Sequence, residues 1–225
     1  ERDDAGRPTG VITEMDKLLP MPQLGPSEAR AAVERGIRDL FTSRGVTTIG
    51  EISESIDRGL RVYDDAIAAG RIHARMHIYL WTPGTVSIDE ACDYASWADL
   101  KSPTDKLKIQ GVKAFADGGY SAARAALSRP YATGDGHNCG EIAVSTDDLV
   151  EMARRTHEVG LQLAIHANGD HAQLHVCDAL AKAAVEGEPR IRIEHAGNFV
   201  PDYERLNDAW RRANIVPVPQ PVFIQ

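Results

Sequence analysis

The sequence of 225 residues lacks several features that would point to well-known protein classes. No stretch approaches the roughly 18 consecutive apolar residues of a membrane-spanning helix, so we expect no membrane association. The formal net charge is -8 and no basic stripe is present, which argues against a nucleic-acid partner. The three cysteines, Cys92, Cys139 and Cys177, are an odd and widely spaced set. This pattern indicates reduced thiols, and we therefore expect a cytoplasmic location.

What the sequence does contain is a regular alternation of helix and strand patterns after Pro26. Apolar residues recur at helical spacing in segments that end at glycine, and a short apolar run follows each segment. Six strands are predicted in this way, near residues 46–49, 72–81, 109–119, 161–166, 190–195 and 215–219. Such alternation predicts parallel strands joined by helices, in a doubly wound sheet or a barrel. Neither G-x-G-x-x-G nor G-x-x-x-x-G-K-[ST] follows a strand, which disfavours the nucleotide-binding versions.

Two regions fall outside this alternation. Residues 1–25 are rich in proline and glycine and are predicted to form an irregular lead-in, so that the main domain covers residues 26–225. The connection from about Asp117 to Ser145 is polar and glycine-rich, and it is too long for a simple crossover. We therefore expect this connection to be functional. The chain starts at Glu1 and ends on the apolar run "PVFIQ", which is the pattern expected of an interior portion of something longer.

Two histidines occupy matching positions at the ends of neighbouring strands. In "LQLAIHANGD" the strand ends at His166, and in "RIRIEHAGN" it ends at His195. The carboxyl ends of parallel strands form the functional edge of such folds, and adjacent strands lie about 4.8 Å apart. Two imidazoles at this edge can share one metal ion, although a single strand-end histidine is more often structural. Strand alternation predicts that Glu194 points to the opposite face and pairs with an arginine from a neighbouring helix.

A lysine in the middle of a buried strand is the third unusual feature. Lys113 lies in "GVKAFAD", in a strand that should be buried on both faces. A buried ammonium is costly and requires a partner or a shifted pKa. Three outcomes are open: an ion pair with Asp117, Schiff-base chemistry, or conversion to a carbamate that can bridge metal ions.

Together these motifs resemble a known superfamily. The segments "GVKAFADGGYSAARAALSRPY", "AIHANGDHA", "RIEHA" and "PQPVF" occur in an order that is similar to the amidohydrolase superfamily, in its branch of N-acyl amide and formamide hydrolases, family 3-like. The resemblance extends from about residue 45 to 225. It implies a metal-dependent hydrolase on a (β/α)8 barrel, of which about strands 2–7 are present here.

The resemblance also implies roles for particular residues. Lys113, as a carbamate, would bridge two divalent ions, and His166 and His195 would bind the second; zinc is the expected metal, as one or two ions. Metal-activated water would cleave a C–N bond in a small-molecule amide. Asp170 would orient His166 or contact substrate. Asp117 and Tyr120 would belong to the substrate-facing loop. Apart from the resemblance, we expect a homo-oligomer.

The sequence also departs from the family pattern. The His-x-His pair of the first barrel strand is absent upstream of Lys113, and so is the catalytic aspartate of the eighth strand. We therefore expect the 225 residues to hold only part of a catalytic site. Two alternatives stay open: a truncated, non-catalytic α/β metal-binding domain, and a barrel lyase or isomerase that uses Lys113 as a Schiff-base nucleophile.

Overall fold

The computed structural model describes residues 2–10, 24–84, 86–132, 136–198 and 200–220. Within these ranges the central element is a parallel sheet whose six strands follow one another in chain order. The strands are β1 Thr48–Ser53, β2 Arg75–Trp81, β3 Leu107–Phe115, β4 Gln162–His166, β5 Arg192–Glu194 and β6 Val216–Val218. The helices are α1 Pro26–Gly36, α2 Arg61–Ala68, α3 Ile88–Trp97, α4 Thr146–Glu158, α5 Asp170–Ala183 and α6 Tyr203–Arg212.

The strand order selects the barrel over the doubly wound sheet. Each strand pairs in parallel with the next one along the chain, from β1 to β6, without a reversal of order. A doubly wound sheet would reverse direction at a switch point. The sheet is a curled half-barrel with the connecting helices packed against it, which confirms the prediction of an incomplete (β/α)8 fold with six strands.

Local sequence signals account for several helix boundaries. The Ser87 hydroxyl accepts a hydrogen bond from the Glu90 amide at 3.2 Å, and the Glu90 carboxylate accepts one from the Ser87 amide at 2.8 Å. This reciprocal capping box starts α3, as the sequence predicts. Gly45 is in the left-handed conformation with φ 79°, and it ends the first helical segment. That segment is not a single α-helix, because α1 continues as a π-helix (Ile37–Phe41) and a 3-10 turn (Thr42–Arg44).

The two faces of the sheet differ in chemistry. One face carries fully buried aliphatic side chains such as Ile78, Leu163, Ile165 and Ile193, which pack with the helices in one continuous core. The opposite, inner face carries polar side chains from β2 to β5. The residues that share this inner face in register are Tyr79, Lys113, Gln162, Ala164, His166, Arg192 and Glu194.

The described residues also bear on the expectations about membrane helices, disulfides and the two ends of the chain. No helix in the described part of the chain is long and apolar enough to cross a membrane. No disulfide joins the three cysteines, all of which lie in described ranges. Residues 11–23 of the predicted lead-in and the final "PVFIQ" lie outside the described residues.

Candidate metal centre

The carboxyl ends of β3, β4 and β5 bring the sequence-predicted lysine and histidines to one place. The ring centroids of His166 and His195 lie 4.6 Å apart, in an edge-on arrangement. The Phe115 ring lies 4.8 Å from that of His166, and the Lys113 Nζ atom lies 4.6 Å from the centroid of the Phe115 ring. The three side chains therefore converge at the same rim of the half-barrel.

An unusual backbone conformation places His195 beside His166. His195 has φ 64°, in the left-handed region that non-glycine residues enter at a cost of about 1–3 kcal/mol. Because β5 ends at Glu194, the chain turns before His195, and simple strand alternation no longer applies. The prediction that Glu194 faces the helices is wrong. Glu194 aligns with His166 on the inner face, and its carboxylate pairs with Arg192 of the same strand, not with a helix.

Lys113 is buried without a hydrogen-bonding partner in the described part of the chain. Only 1% of the residue is exposed, and its Nζ atom accepts or donates no hydrogen bond there. Burial lowers the pKa of Lys113 to about 7, while Glu194 opposes this effect and Arg192 adds to it. No ion pair between Lys113 and Asp117 is formed among the described residues, so simple charge pairing, one of the three outcomes considered from the sequence, is not observed.

The imidazole of His166 is held from one side by the loops around it. Its Nε2 atom lies 3.3 Å from the carbonyl oxygen of Gly118, 3.2 Å from Nδ2 of Asn168 and 3.5 Å from Oδ1 of Asp117. Burial, together with the nearby Lys113 and His195, lowers the pKa of His166 to about 3. The ring is therefore neutral near pH 7. Nε2 has partners in either tautomer, because the Gly118 carbonyl oxygen can accept from it and Nδ2 of Asn168 can donate to it.

Asp117 organises the loops of the site. Its carboxylate accepts hydrogen bonds from the amides of Asn168 (2.9 Å), Gly169 (2.8 Å) and Ala126 (2.8 Å). The side chain is 0% exposed, and burial raises the pKa of this carboxyl although the backbone amides oppose the rise. The family resemblance implies that Asp117 belongs to a substrate-facing loop, and this stays a prediction. The carboxylate itself is enclosed, and its direct contacts are with backbone amides and His166.

Tyr120 and Asp170 border the site through different contacts. The Tyr120 hydroxyl lies 2.6 Å from the carbonyl oxygen of Asn168 and 3.0 Å from that of Asn198, and it joins the loops that follow β4 and β5. The Asp170 carboxylate accepts hydrogen bonds from the amide and the hydroxyl of Ser128. It is thus Asp117 rather than Asp170 that contacts His166. A substrate contact of Asp170 or Tyr120 stays a prediction.

A polar network that sequence reasoning missed lies on the inner face next to these residues. The Nε atom of Arg192 donates to the Glu194 carboxylate at 2.5 Å, and its Nη1 atom donates to the Tyr79 hydroxyl at 3.2 Å. The Tyr79 hydroxyl donates in turn to Oε1 of Gln162 at 2.5 Å. A signal was available, because Arg192 stands between Ile191 and Ile193 much as Lys113 stands between apolar neighbours. Asn168 was also missed, although it lies in the turn after His166.

The residues present fit a metal ion only if the lysine takes part. Across the described ranges, no group of three or more His, Cys, Asp and Glu side chains is arranged to hold a metal. The rim contains two neutral imidazoles and the buried Nζ atom of Lys113, which has no hydrogen-bonding partner in the described ranges. A carbamate on Lys113 would supply the missing oxygen ligands, since zinc accepts nitrogen and oxygen donors. The donor set is therefore compatible with a divalent ion bound by His166, His195 and a modified Lys113.

Comparison with known proteins agrees with the resemblance to amidohydrolases that the sequence motifs indicate. A family model described as "Amidohydrolase family" matches residues 1–223. The chain is 26% identical over 207 residues to a Bacillus subtilis (strain 168) protein named as an amidohydrolase, YtcJ, covering 87% of this chain and 36% of the relative. It is 28% identical over 218 residues to the Arabidopsis thaliana protein LONG AFTER FAR-RED 3, covering 89% and 36%. The chain thus spans about a third of the length of these curated relatives.

Two solved structures share the fold. An uncharacterized metal-dependent hydrolase from Pyrococcus furiosus superposes with a TM-score of 0.72 at 26% identity, covering 92% of this chain and 41% of that one. A second, from Pyrococcus horikoshii OT3, superposes with a TM-score of 0.72 at 23% identity, covering 89% and 38%. In both cases the half-barrel corresponds to less than half of a longer chain.

Proposed function

The chain belongs to the amidohydrolase family, and from this premise we propose that the full-length protein is a metal-dependent hydrolase that cleaves a C–N bond in a small-molecule amide, N-acyl or N-formyl compound. The family match over residues 1–223 supports hydrolysis, and the similarity to the metal-dependent hydrolase from Pyrococcus furiosus supports the metal. The bond class and the zinc ion are the finer parts of the proposal. They rest on the motif order around Lys113, His166 and His195.

One observation carries the proposal. A lysine nitrogen that is buried and unpartnered in the described part of the chain lies at the rim where two neutral imidazoles meet. A buried amine without a hydrogen-bonding partner is costly, and such groups concentrate at functional sites. Lys113, as a carbamate, and the two histidines would hold one or two divalent ions. When bound, such an ion activates water and polarises the scissile carbonyl.

The surrounding residues orient the side chains of this rim and cover it. Asp117 and Asn168 fix the orientation of the His166 ring, and the burial of that ring keeps it unprotonated. Phe115 and Trp81, whose ring centroids are 5.4 Å apart, cover the inner face beside Lys113 and limit access of water to the amine. Asp170 and Tyr120 are proposed to contact the substrate at the loops. A homo-oligomer and a cytoplasmic location, which the reduced thiols favour, are parts of the same proposal.

The test compares two lysines of the same strand. Lys113 is buried, whereas Lys108 is exposed at the other end of β3. We expect Lys113→Ala to lower the zinc content of the full-length protein and its hydrolysis of a panel of N-acyl and N-formyl amides. Lys108→Ala should retain both. Elemental analysis that finds equal metal in the parent and in Lys113→Ala would contradict the proposed role.

One rival function draws on the same observation. An amine with a pKa of about 7 is also suited to attack a carbonyl substrate and form a Schiff base. Borohydride reduction in the presence of carbonyl compounds would trap such an adduct on Lys113. A trapped adduct in a metal-free protein would replace the hydrolase proposal, whereas a full-length protein with neither metal nor adduct would favour the non-catalytic domain.

A further inference from the structure

A pair of cations faces the inside of the half-barrel across a small residue. Lys113 on β3, Ala164 on β4 and Arg192 on β5 are in register and share the inner face. Because neighbouring strands are about 4.8 Å apart, the backbones that carry the two cations are separated by about 10 Å. The methyl group of Ala164 leaves the space between the two long side chains open. An anion on this face can therefore reach either cation.

The anion on this face is the Glu194 carboxylate, and it forms an ion pair with Arg192. Glu194 lies two residues after Arg192 on β5, so both side chains point inward, and the guanidinium Nε atom donates to the carboxylate at 2.5 Å. The Lys113 Nζ atom has no hydrogen-bonding partner in the described ranges, even though Glu194 is the charge that most favours its ammonium form. Two basic side chains thus share a face with one carboxylate, and Arg192 holds it.

The position of Arg192 is fixed by a second contact. Its Nη1 atom donates to the Tyr79 hydroxyl at 3.2 Å, and the guanidinium lies 5.1 Å from the centroid of the Tyr79 ring. Tyr79 is 4% exposed, and its hydroxyl is bound in turn to Gln162. A guanidinium that donates to two different acceptors and lies over an aromatic ring is held in one geometry, which a lysine would not achieve.

We propose that Arg192 is a positioning residue that withholds the Glu194 carboxylate from Lys113, so that the lysine nitrogen stays directed toward the histidine rim and open to carbon dioxide. Without Arg192, the Glu194 carboxylate would pair with Lys113 and draw the side chain away from His166 and His195. This inference rests on the proposed function, because it concerns formation of the Lys113 carbamate.

Formation of the Lys113 carbamate, the covalent step that Arg192 would assist, needs no oxidant or reductant. The nitrogen lone pair of Lys113 forms a bond to the carbon of carbon dioxide, and one C–O π bond opens to give a carboxylate. The nitrogen loses one proton to solvent, so that atoms and charge balance. A Lys113 nitrogen held in an ion pair with Glu194 would not present its lone pair to carbon dioxide.

The experiment uses the full-length protein and a rescue variant. We compare the parent, Arg192→Met, the double variant Arg192→Met with Glu194→Gln, and Arg155→Met. Arg155 is the matched control, because it forms an arginine–carboxylate pair with Asp89 at 2.9 Å on the exposed surface of α4. The readouts are zinc content by elemental analysis and the carbamate signal in 13C NMR after labelling with 13C-bicarbonate. Circular dichroism reports the fold of each variant.

The expected pattern is a loss followed by a rescue. Arg192→Met should lower zinc affinity by about 10- to 100-fold, the effect typical of residues that support metal ligands, and should lose the carbamate signal. The double variant should regain both, since no carboxylate remains to capture Lys113, and Arg155→Met should match the parent. If Arg192→Met fails to fold, Tyr79→Phe, which removes only the hydroxyl that holds Arg192, should show a smaller loss in the same direction.

The outcomes separate this inference from the proposed function. A parent protein that lacks both zinc and carbamate overturns the proposed function itself. A parent that contains both, with an Arg192→Met variant that retains both, overturns only the role of Arg192. A folded double variant that stays as depleted as Arg192→Met also overturns it, because Glu194 would then not be the competitor.

Discussion

Replacing Lys113 with methionine should stabilise the metal-free protein while removing its metal site. The pKa of Lys113 falls from 10.5 to about 7 on folding because burial removes water from the ammonium. At about 1.4 kcal/mol for each pH unit, this shift makes the folded state less stable by about 4 kcal/mol at pH 7. Methionine has a similar length and carries no charge, so Lys113→Met should raise the free energy of unfolding by about this amount.

The pH dependence identifies the cause of the stabilisation. Between about pH 7 and 10.5 the unfolded chain binds the Lys113 proton and the folded chain does not, so the parent gains stability as the pH rises. The difference in free energy of unfolding between Lys113→Met and the parent should therefore be largest at or below pH 7 and should vanish near pH 10.5. Urea unfolding of full-length protein, stripped of metal and kept free of bicarbonate, measures this difference.

The exposed Lys108 supplies the control. Lys108→Met on the same strand should change the free energy of unfolding by no more than about 0.5 kcal/mol, without a pH trend, as is usual for surface substitutions. A Lys113→Met variant that is less stable than the parent at pH 7, or an advantage that is constant with pH, would refute the reasoning. It would mean that the amine has a partner in solution.

Three further predictions concern the loops and turns of the rim. Asp117→Ala should lower the free energy of unfolding by at least about 3 kcal/mol in urea titrations, because three backbone amides lose their acceptor, and Asp117→Asn should lose less; equal stability of the two variants would contradict this. His195→Val should be about 1–2 kcal/mol less stable than His195→Asn, because φ 64° suits asparagine and excludes β-branched residues; a Val variant that unfolds at the same urea concentration would argue against strain. Gly169→Ala should lower both thermal stability and zinc content, because a Cβ atom there would lie 1.8 Å from the Ala126 carbonyl oxygen. The control Gly36→Ala, with nothing within 4 Å of the added Cβ atom, should be neutral or stabilising. Indistinguishable melting curves for the two variants would disprove the close approach.

The strand and helix order was predictable because each signal was local. Helical apolar spacing, the capping box at Ser87 and the glycine at position 45 act within one or two turns of chain, and the structure follows them. The sequence pattern did not set the strand ends. β1 was predicted at residues 46–49 but runs from Thr48 to Ser53, because pairing with β2 gives its polar residues a backbone partner whatever their side chains are.

The site was predictable where alternation and strand ends determine it. Lys113 and His166 lie on the inner face as their positions in β3 and β4 require. Glu194 shows where the prediction fails, because β5 ends at Glu194 and the left-handed His195 lies outside the strand. Glu194 therefore keeps the alternation of β5 and faces inward, while His195 still lies beside His166, as expected. A sequence pattern with period two contains no information about such a turn.

Long-range pairing explains what sequence reasoning missed. Asp117 and Asn168 are 51 residues apart in the chain, and Tyr79 and Arg192 are 113 residues apart, yet each pair is joined by a hydrogen bond. Composition indicates that such polar residues need partners, but it does not say which partners they find. The barrel curvature brings β2 and β5 close enough for the Tyr79–Arg192 contact, and this curvature follows from the assembled sheet.

Anomalous diffraction at the zinc edge from crystals of the full-length protein tests the central claim most directly. The account predicts a metal peak about 2.1 Å from a ring nitrogen of His166 and of His195, with a carbamate oxygen on Lys113 as a further ligand. A metal bound elsewhere, beside an unmodified Lys113 amine that points away from both histidines, would contradict it.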